Sequence, residues 1–237
     1  MDRKAIFRSN PLHLACLKGD DLLVSKLLER KAKFNSPDAS GLYPLHLAAT
    51  GLDGAETSPE EDERRLKCVK LLLQAGAPLT MKDGNKQSVL HAASRAGHCQ
   101  IIQHILALWM QRQEQESGNR EIYPFHFYNW QDRWHSKLWT PSKYCLFHQK
   151  FPILTFSPLL CLPTHSGTPV HWAVLNGRVQ ALKILLEGGC YADPPQPKAN
   201  KGSSAATESP LQICQRVHGD GSEKGRVIQQ LLESFAA

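Results

Sequence analysis

Two patterns of hydrophobic residues alternate along the chain and keep a fixed distance from each other. The first is a short apolar segment built around a histidine, as in Gly41-Leu42-Tyr43-Pro44-Leu45-His46-Leu47-Ala48-Ala49. Other copies are centred on His13, His91 and His171, and Ser209-Pro210-Leu211-Gln212 is a degenerate copy. A pattern that recurs this often predicts an internally repeated fold.

The second pattern is a set of apolar pairs that follows each copy of the first. Asn10 and Tyr43, which take the same place in their copies, are 33 residues apart. In the first, third and fourth copies the pairs lie 10, 11, 14 and 15 residues after the histidine. On an α-helix, residues with this spacing share one face. The apolar stripes are Leu23, Val24, Leu27 and Leu28, then Cys68, Val69, Leu72 and Leu73, then Ile101, Ile102, Ile105 and Leu106, then Ala181, Leu182, Leu185 and Leu186, and finally Val227, Ile228, Leu231 and Leu232.

Local chemistry predicts a helix for the first pattern as well. Proline is tolerated in the first turn of a helix, where its missing N–H has no intrahelical partner to lose. Thr, Ser or Asn before it can accept a hydrogen bond from an early backbone N–H. Gly76 and Gly188 follow their stripes, where the second helix has to end. Each unit is therefore expected to be two short antiparallel helices, which bury their apolar faces only by stacking on neighbouring units.

These residues resemble the ankyrin-repeat family, whose unit of about 33 residues carries a Thr-Pro-Leu-His-x-Ala signature. The resemblance implies an all-α ankyrin-repeat solenoid of five helix-turn-helix units with a long irregular insertion between repeats three and four. Repeats one to three are assigned to residues 1–109, the insertion to 110–167 and repeats four and five to 168–237. Ser88-Val89 replaces Thr-Pro in repeat three, which weakens the definition of its first turn, and Gln212 replaces histidine in repeat five.

An acidic insertion is expected within residues 52–65 because the stripe of repeat two comes 12 residues late. Its centre, Ser58-Pro59-Glu60-Glu61-Asp62-Glu63, has the composition of a solvated loop. The alternative interpretation is a regulated contact, with phosphorylation at Ser58.

The large insertion combines an aromatic block with a proline-rich segment. About 47 extra residues separate Ser88 from Thr168, and the block 123–139 contains Trp130 and Trp134. These tryptophans are candidates for partner binding, since Trp is enriched at interface centres, and packing against the repeats is an equal alternative. Residues 140–167 have no helical or strand period. We hypothesise that they derive from alternative splicing, because the Phe, Leu, Ser and Pro that dominate them have pyrimidine-rich codons.

Charge and cysteine content limit the class of partner and the cellular compartment that we expect. The net charge of +6 is spread without a Lys/Arg cluster, which argues against nucleic acid as a partner. Cys16, Cys68 and Cys99 fall beside predicted helical faces, as small apolar residues do. No apolar stretch approaches membrane-spanning length, and no secretory leader is recognisable. We therefore expect a soluble monomer in a reducing compartment, the cytoplasm or the nucleus, with no membrane association.

The sequence contains few residue patterns that would indicate a metal site or a catalytic site. The signature histidines His13, His46, His91 and His171 recur once per repeat, which spaces them about 10 Å apart along a stack and predicts a structural role rather than a metal site. One alternative zinc set has finger-like ligand spacing but lacks a finger's helix and strand pattern; its members are Cys145, His148, Cys161 and His165. No phosphate loop, His-Glu-x-x-His or Gly-x-Ser-x-Gly motif is present, so neither an enzyme nor a cofactor is predicted.

The resemblance implies a non-catalytic protein-interaction module, a scaffold or adaptor that binds another protein through its turn tips and first helices. The family's variable positions correspond here to Leu17, Lys18, Ser40, Leu42, Thr50, Asn85, Gln87, Arg95, Ala96, Leu175 and Asn176. Two alternatives stay open. One is a zinc-dependent nucleic-acid binder that uses the insertion, and the other is the adaptor arm of a longer regulatory protein such as a ubiquitin ligase.

Overall fold

The computed structural model describes residues 10–51, 58–117, 167–190, 192, 208–219 and 222–236. This part of the chain contains ten helices that form five consecutive pairs, as the five predicted units require. The helices are α1 (Pro11–Lys18), α2 (Asp21–Glu29), α3 (Pro44–Thr50), α4 (Pro59–Gln74), α5 (Val89–Ala96), α6 (Cys99–Ser117), α7 (Pro169–Leu175), α8 (Val179–Glu187), α9 (Pro210–His218) and α10 (Glu223–Ala236). The all-α repeat architecture expected from the sequence is confirmed.

The first helix of each unit begins where the sequence predicts. In units one and four, Asn10 and Thr168 are the capping residues before a proline in the first turn. In these two units the signature histidine completes the cap: Asn10 N–H donates to Nδ1 of His13, and Thr168 N–H donates to Nδ1 of His171. One side chain therefore satisfies a backbone donor that the start of a helix would otherwise leave unpaired.

The other ring nitrogen of the signature histidine links neighbouring units. Nε2 of His46 lies 3.1 Å from the carbonyl oxygen of Gln87, just before the first helix of unit three. Nε2 of His171 lies 3.1 Å from the carbonyl oxygen of Glu208, just before that of unit five. His171 therefore joins backbone of its own unit to backbone of the next, and His46 forms the second of these links between units.

Two departures from the signature are accommodated locally. Ser88 forms the same cap with His91 as its counterparts do, so the expected weakness at the start of α5 is not observed. In unit five, the Gln212 carboxamide takes the histidine's place, and its oxygen accepts a hydrogen bond from Ser209 N–H at 2.9 Å. Any acceptor that reaches the capping N–H fulfils this half of the histidine's role.

The second helices bury the predicted stripes to different degrees. In units two to four the stripes are buried, apart from the partly accessible Leu73. In the outermost units only part of the stripe is covered. Leu23 is 42% exposed and Val227 is 38% exposed, although Val24 and Ile228 are fully buried. Each outermost described unit has a described neighbour on one side only, so part of its stripe stays accessible.

The first helices form a continuous row, because α1 contacts α3, α3 contacts α5, α5 contacts α7 and α7 contacts α9. The contact between α5 and α7 joins units three and four directly, although residues 97–168 separate these helices in the chain. Small side chains make this approach possible; Ala48, Ala49, Ala92 and Ala93 are all buried in the row. The long insertion therefore leaves the stacking of units three and four intact.

The acidic segment of unit two is not a loop, and this prediction was wrong for residues 59–65. Helix α4 begins at Pro59, and the Ser58 hydroxyl caps it by accepting a hydrogen bond from Glu61 N–H. Glu60, Glu61 and Asp62 occupy its first turn, where carboxylates stabilise the positive end of a helix. The low hydrophobicity that suggested a loop is the composition of an exposed, well-capped helix start.

Several predicted features lie outside the described residues. These are residues 52–57 of the acidic insertion, the aromatic block, and the segment 140–166 for which a splice origin was proposed. Described residues up to Ile105 and from Gly167 onward belong to one compact unit, and the end of α6 from Leu106 belongs to another. Among the described helices, none has the length and apolar character needed to cross a bilayer.

The first test concerns the stripe. Leu72 is fully buried, so Leu72→Ala should lower the free energy of unfolding by about 2–5 kcal/mol through lost burial and a residual cavity. The matched control is Leu22→Ala on α2, where the side chain is 73% exposed and the effect should stay within about 0.5 kcal/mol. Urea denaturation followed by circular dichroism measures both. Equal effects of the two substitutions would contradict the stacked core.

The second test concerns the cap and the histidine together. Thr168 is buried, and its Oγ1 lies 2.7 Å from Nδ1 of His171. Thr168→Val keeps the volume and removes the hydroxyl, so stability should fall by about 1–2 kcal/mol. Thr168→Ser should restore most of it. If the valine variant is as stable as the parent chain, this hydroxyl has no role in the fold.

The third test uses pH. Burial lowers the pKa of His13 and of His46 below the usual 6.5. A proton therefore binds the unfolded chain better, and the stability contributed by the neutral imidazoles is lost as pH falls below 6.5, by up to about 1.4 kcal/mol per histidine and pH unit. Denaturation between about pH 7.5 and 5.5 should show this loss. His46→Gln should make the pH dependence shallower, and an unchanged slope would contradict the assignment.

Candidate functional site

The turns that precede the first helices have a fixed geometry. In unit two, Oδ1 of Asp38 accepts hydrogen bonds from the N–H groups of Ser40 and Leu42, at 2.8 and 2.9 Å. In unit three, Oδ1 of Asp83 accepts them from Asn85 and Gln87, at 2.9 and 2.7 Å. Both aspartates are therefore occupied in shaping their own turns.

Neighbouring turns touch through their glycines. Gly84 N–H donates to the carbonyl oxygen of Gly41 at 3.0 Å. A Cβ added to Gly41 would lie 2.8 Å from Cα of Gly84, which is too close for any side chain. The two turns therefore form one rigid edge, at the end of the stack where the first helices begin.

The structure sorts the predicted binding residues by exposure. Lys18, Ser40, Asn85, Leu175 and Asn176 are exposed, whereas Leu17, Leu42, Arg95 and Ala96 are half-buried. All of them lie in the turns or in the last turn and C-terminal cap of first helices. These nine residues are called the turn and first-helix surface. Trp130 and Trp134 lie outside the described residues.

Thr50 and Gln87 are buried, at 8% and 7% exposure. The Thr50 hydroxyl donates back to the carbonyl oxygen of His46 at 2.9 Å, within α3. The backbone N–H of Gln87 donates to Oδ1 of Asp83, and its carbonyl oxygen lies 3.1 Å from Nε2 of His46. Both residues are engaged in the repeat framework, so we leave them out of the binding surface.

The sequence reasoning missed the position directly after the signature histidine. Leu14 is 40% exposed in unit one, and Trp172 is half-buried in unit four. The guanidinium of Arg95 lies 5.9 Å from the centre of the Trp172 ring, a cation–π geometry that joins units three and four. The sequence does carry a signal, because this position changes from Leu to Ala to Trp between repeats. A position used only for packing would keep one type of residue.

Charge is distributed unevenly between first and second helices. The five first helices carry Lys18, Arg95 and Arg216 and no aspartate or glutamate. Arg216 pairs with Glu208, at 2.7 Å between Nη2 and Oε2. The second helix α4, in contrast, has three acidic residues in its first turn alone. Because Glu208 offsets Arg216, the first helices contribute the positive charges of Lys18 and Arg95 to a cationic surface.

The turns add four exposed lysines, Lys31, Lys33, Lys82 and Lys86. None of them forms an ion pair with a carboxylate of the described residues. The two turn aspartates, Asp38 and Asp83, offset only part of this charge, because the four lysines outnumber them.

The opposite end of the first-helix row is closed by basic side chains from the following unit. Nη1 of Arg65 lies 3.2 Å from the Leu17 carbonyl oxygen, and Nε2 of His218 lies 2.6 Å from that of Val174. Nε2 of His98 lies 3.3 Å from the Thr50 carbonyl oxygen, and its Nδ1 contacts Asp62. Arg178 passes over Gly97, the residue that ends α5. These four residues are called the C-terminal ties, since they satisfy or cover the negative ends of the first helices.

Two buried cysteines are not activated as nucleophiles, and the described residues hold no metal cluster. Cys16 and Cys68 are buried, and desolvation raises the pKa of both thiols, that of Cys68 to about 12. Such thiols behave as apolar residues rather than as nucleophiles. No group of three or more His, Cys, Asp or Glu in the described ranges is placed to hold a metal. The zinc set Cys145, His148, Cys161 and His165 lies outside those ranges.

Comparisons with known proteins agree with this architecture. A family model described as ankyrin repeats in many copies matches residues 60–104. The model of a single ankyrin repeat matches residues 8–39 and 167–197. The matched segments include unit one, the second helix of unit two, most of unit three, and unit four.

The relatives found are larger proteins. Inversin of Canis lupus familiaris is 28% identical over 183 residues, which cover 73% of this chain and 14% of inversin. SH3 and multiple ankyrin repeat domains protein 2 of Homo sapiens is 30% identical over 131 residues, covering 54% of this chain and 6% of that protein. Ankyrin repeat and SOCS box protein 16 of Homo sapiens is 37% identical over 95 residues, covering 40% of this chain and 18% of that protein. The chain thus spans less than a fifth of each relative. From the repeat signature, the stacked helix pairs and these matches together, the chain belongs to the ankyrin-repeat family.

Proposed function

We propose that this chain is a non-catalytic protein-binding module that holds a partner protein against its turn and first-helix surface. The observation that carries the proposal is the separation of packing and surface positions within each unit. The signature histidines and the stripes of the inner units are largely buried, whereas Lys18, Ser40, Asn85, Leu175 and Asn176 are exposed in the turns and at the ends of the first helices. Positions that the fold does not need are free to encode specificity.

The rigidity of the surface supports binding. The turn aspartates, the contact between Gly41 and Gly84 and the signature histidines fix the turns before any partner arrives. Preorganised surfaces lose little conformational entropy on association. Leu14 and Leu175, at 40% and 37% exposure, place apolar side chains at two points along the row. Apolar contacts flanked by polar ones are typical of specific protein interfaces.

The proposal is tested by affinity capture with quantitative mass spectrometry from a lysate of the source cells. The surface variant carries Lys18→Glu, Ser40→Glu and Leu175→Glu, which place carboxylates on three units of the row. We expect the proteins captured by the parent chain to fall roughly tenfold or more, because several interface residues are changed at once.

The matched control carries Leu22→Glu, Lys70→Glu and Gln180→Glu on exposed positions of second helices, with the same total change in charge. Its captured proteins should equal those of the parent chain. Circular dichroism shows whether both variants remain folded. Loss of capture by the control, or retention by the surface variant, would place the binding surface elsewhere.

A further inference from the structure

Two lysines occupy backbone conformations that favour glycine. Lys31 has φ of 58° and Lys86 has φ of 62°, and among the described residues they are the only non-glycine residues with positive φ. A side chain in the left-handed region is strained, because its Cβ approaches the neighbouring carbonyl oxygen. Strain of this kind persists where the surroundings or the function require it.

Sister repeats have glycine at both positions. Lys31 ends α2 as Gly76 ends α4 and Gly189 ends α8, with the same backbone hydrogen bond to the residue three before it. Lys86 corresponds to Gly41 in the turn that begins with aspartate, and each N–H donates to that aspartate's carbonyl oxygen. Other units of this chain therefore place glycine at these positions, whereas units one and three have lysine there.

The two strained lysines belong to the same cationic surface. They lie in the turns together with the exposed Lys33 and Lys82, and Lys18 adds an exposed positive charge in the last turn of α1. The described first helices contribute no carboxylate to offset these charges. Complementary charge across an interface selects partners and speeds their encounter.

We propose that the partner presents an acidic segment, rich in Asp or Glu and carrying apolar side chains, whose carboxylates pair with Lys31 and Lys86. This inference rests on the proposed function and specifies its partner. The exposed Leu14 and Leu175 favour a peptide over a nucleic acid, because a phosphate backbone offers nothing for these side chains to bind. The turn lysines also form two separate pairs, Lys31 with Lys33 and Lys82 with Lys86, rather than a run that follows a phosphate backbone.

The test uses fluorescence anisotropy with a labelled peptide rich in glutamate and leucine. The parent chain should bind it, and a peptide with glutamine in place of glutamate should bind far more weakly. The double variant Lys31→Gly/Lys86→Gly should bind the acidic peptide about 2- to 30-fold more weakly, as expected for the loss of two exposed ion pairs. The same variant should melt about 2–8 °C higher, because glycine relieves the strain.

Opposite changes in binding and stability identify a functional role, since residues that serve only the fold would not weaken binding while raising the melting temperature. Lys31→Arg/Lys86→Arg keeps the charge and should retain both the affinity and the parent melting temperature. Lys70→Gln/Lys224→Gln removes two exposed charges from second helices and should leave binding unchanged.

Three results would overturn the inference. They are equal binding of the acidic and glutamine peptides, unchanged affinity of the glycine variant, and tighter binding of a single-stranded DNA oligonucleotide than of the acidic peptide. In each case the affinity capture above still decides separately whether the surface binds a protein at all.

Discussion

The whole structure depends on apolar faces that no single helix pair can bury. Each unit has one stripe on its second helix and a short apolar first helix, and these become solvent-excluded only between neighbours. Ile101, Ile102 and Ile105 are fully buried in unit three, whereas Leu23 in unit one stays accessible. Stability in such a stack is shared between each unit and its interfaces, so the terminal units are the least protected. The direct contact of α5 with α7 shows that this requirement is met even across a large insertion.

Polar groups set the register of the stack at both ends of the first helices. At the turn end, His46 and His171 contact a backbone carbonyl of the following unit, and His171 also completes its own cap. At the other end, the C-terminal ties place basic side chains over the carbonyls of the preceding unit. Helix α4 takes part in both directions, because Arg65 reaches Leu17 of unit one while Asp62 reaches His98 of unit three. The segment that looked like an inserted loop thus holds three units together.

The contacts that charged groups make within the fold determine which charges remain exposed near the first-helix row. Asp38 and Asp83 are occupied by their turns, and Glu208 is occupied by Arg216. The acidic groups near the first-helix row therefore have internal partners, whereas the turn lysines face solvent. Among the described residues, strained positive-φ conformations of non-glycine residues occur at Lys31 and Lys86, and glycine takes both equivalent positions elsewhere in the chain. The positive sign of this surface follows from the residue count, because four exposed lysines in the turns outnumber the two turn aspartates.

The sequence by itself determined the unit, its phase and most helix starts. Proline, cap and histidine act within four residues of each other, and a stripe with helical spacing needs no distant information. That is why even the substituted caps at Ser88 and Ser209 follow the rule. Only the tertiary structure decided that α4 begins at Pro59, that Thr50 and Gln87 are buried, that Leu14 is exposed, and that α7 packs on α5. Each of these outcomes depends on which neighbouring unit covers a side chain, and that is fixed by contacts between residues far apart in the chain.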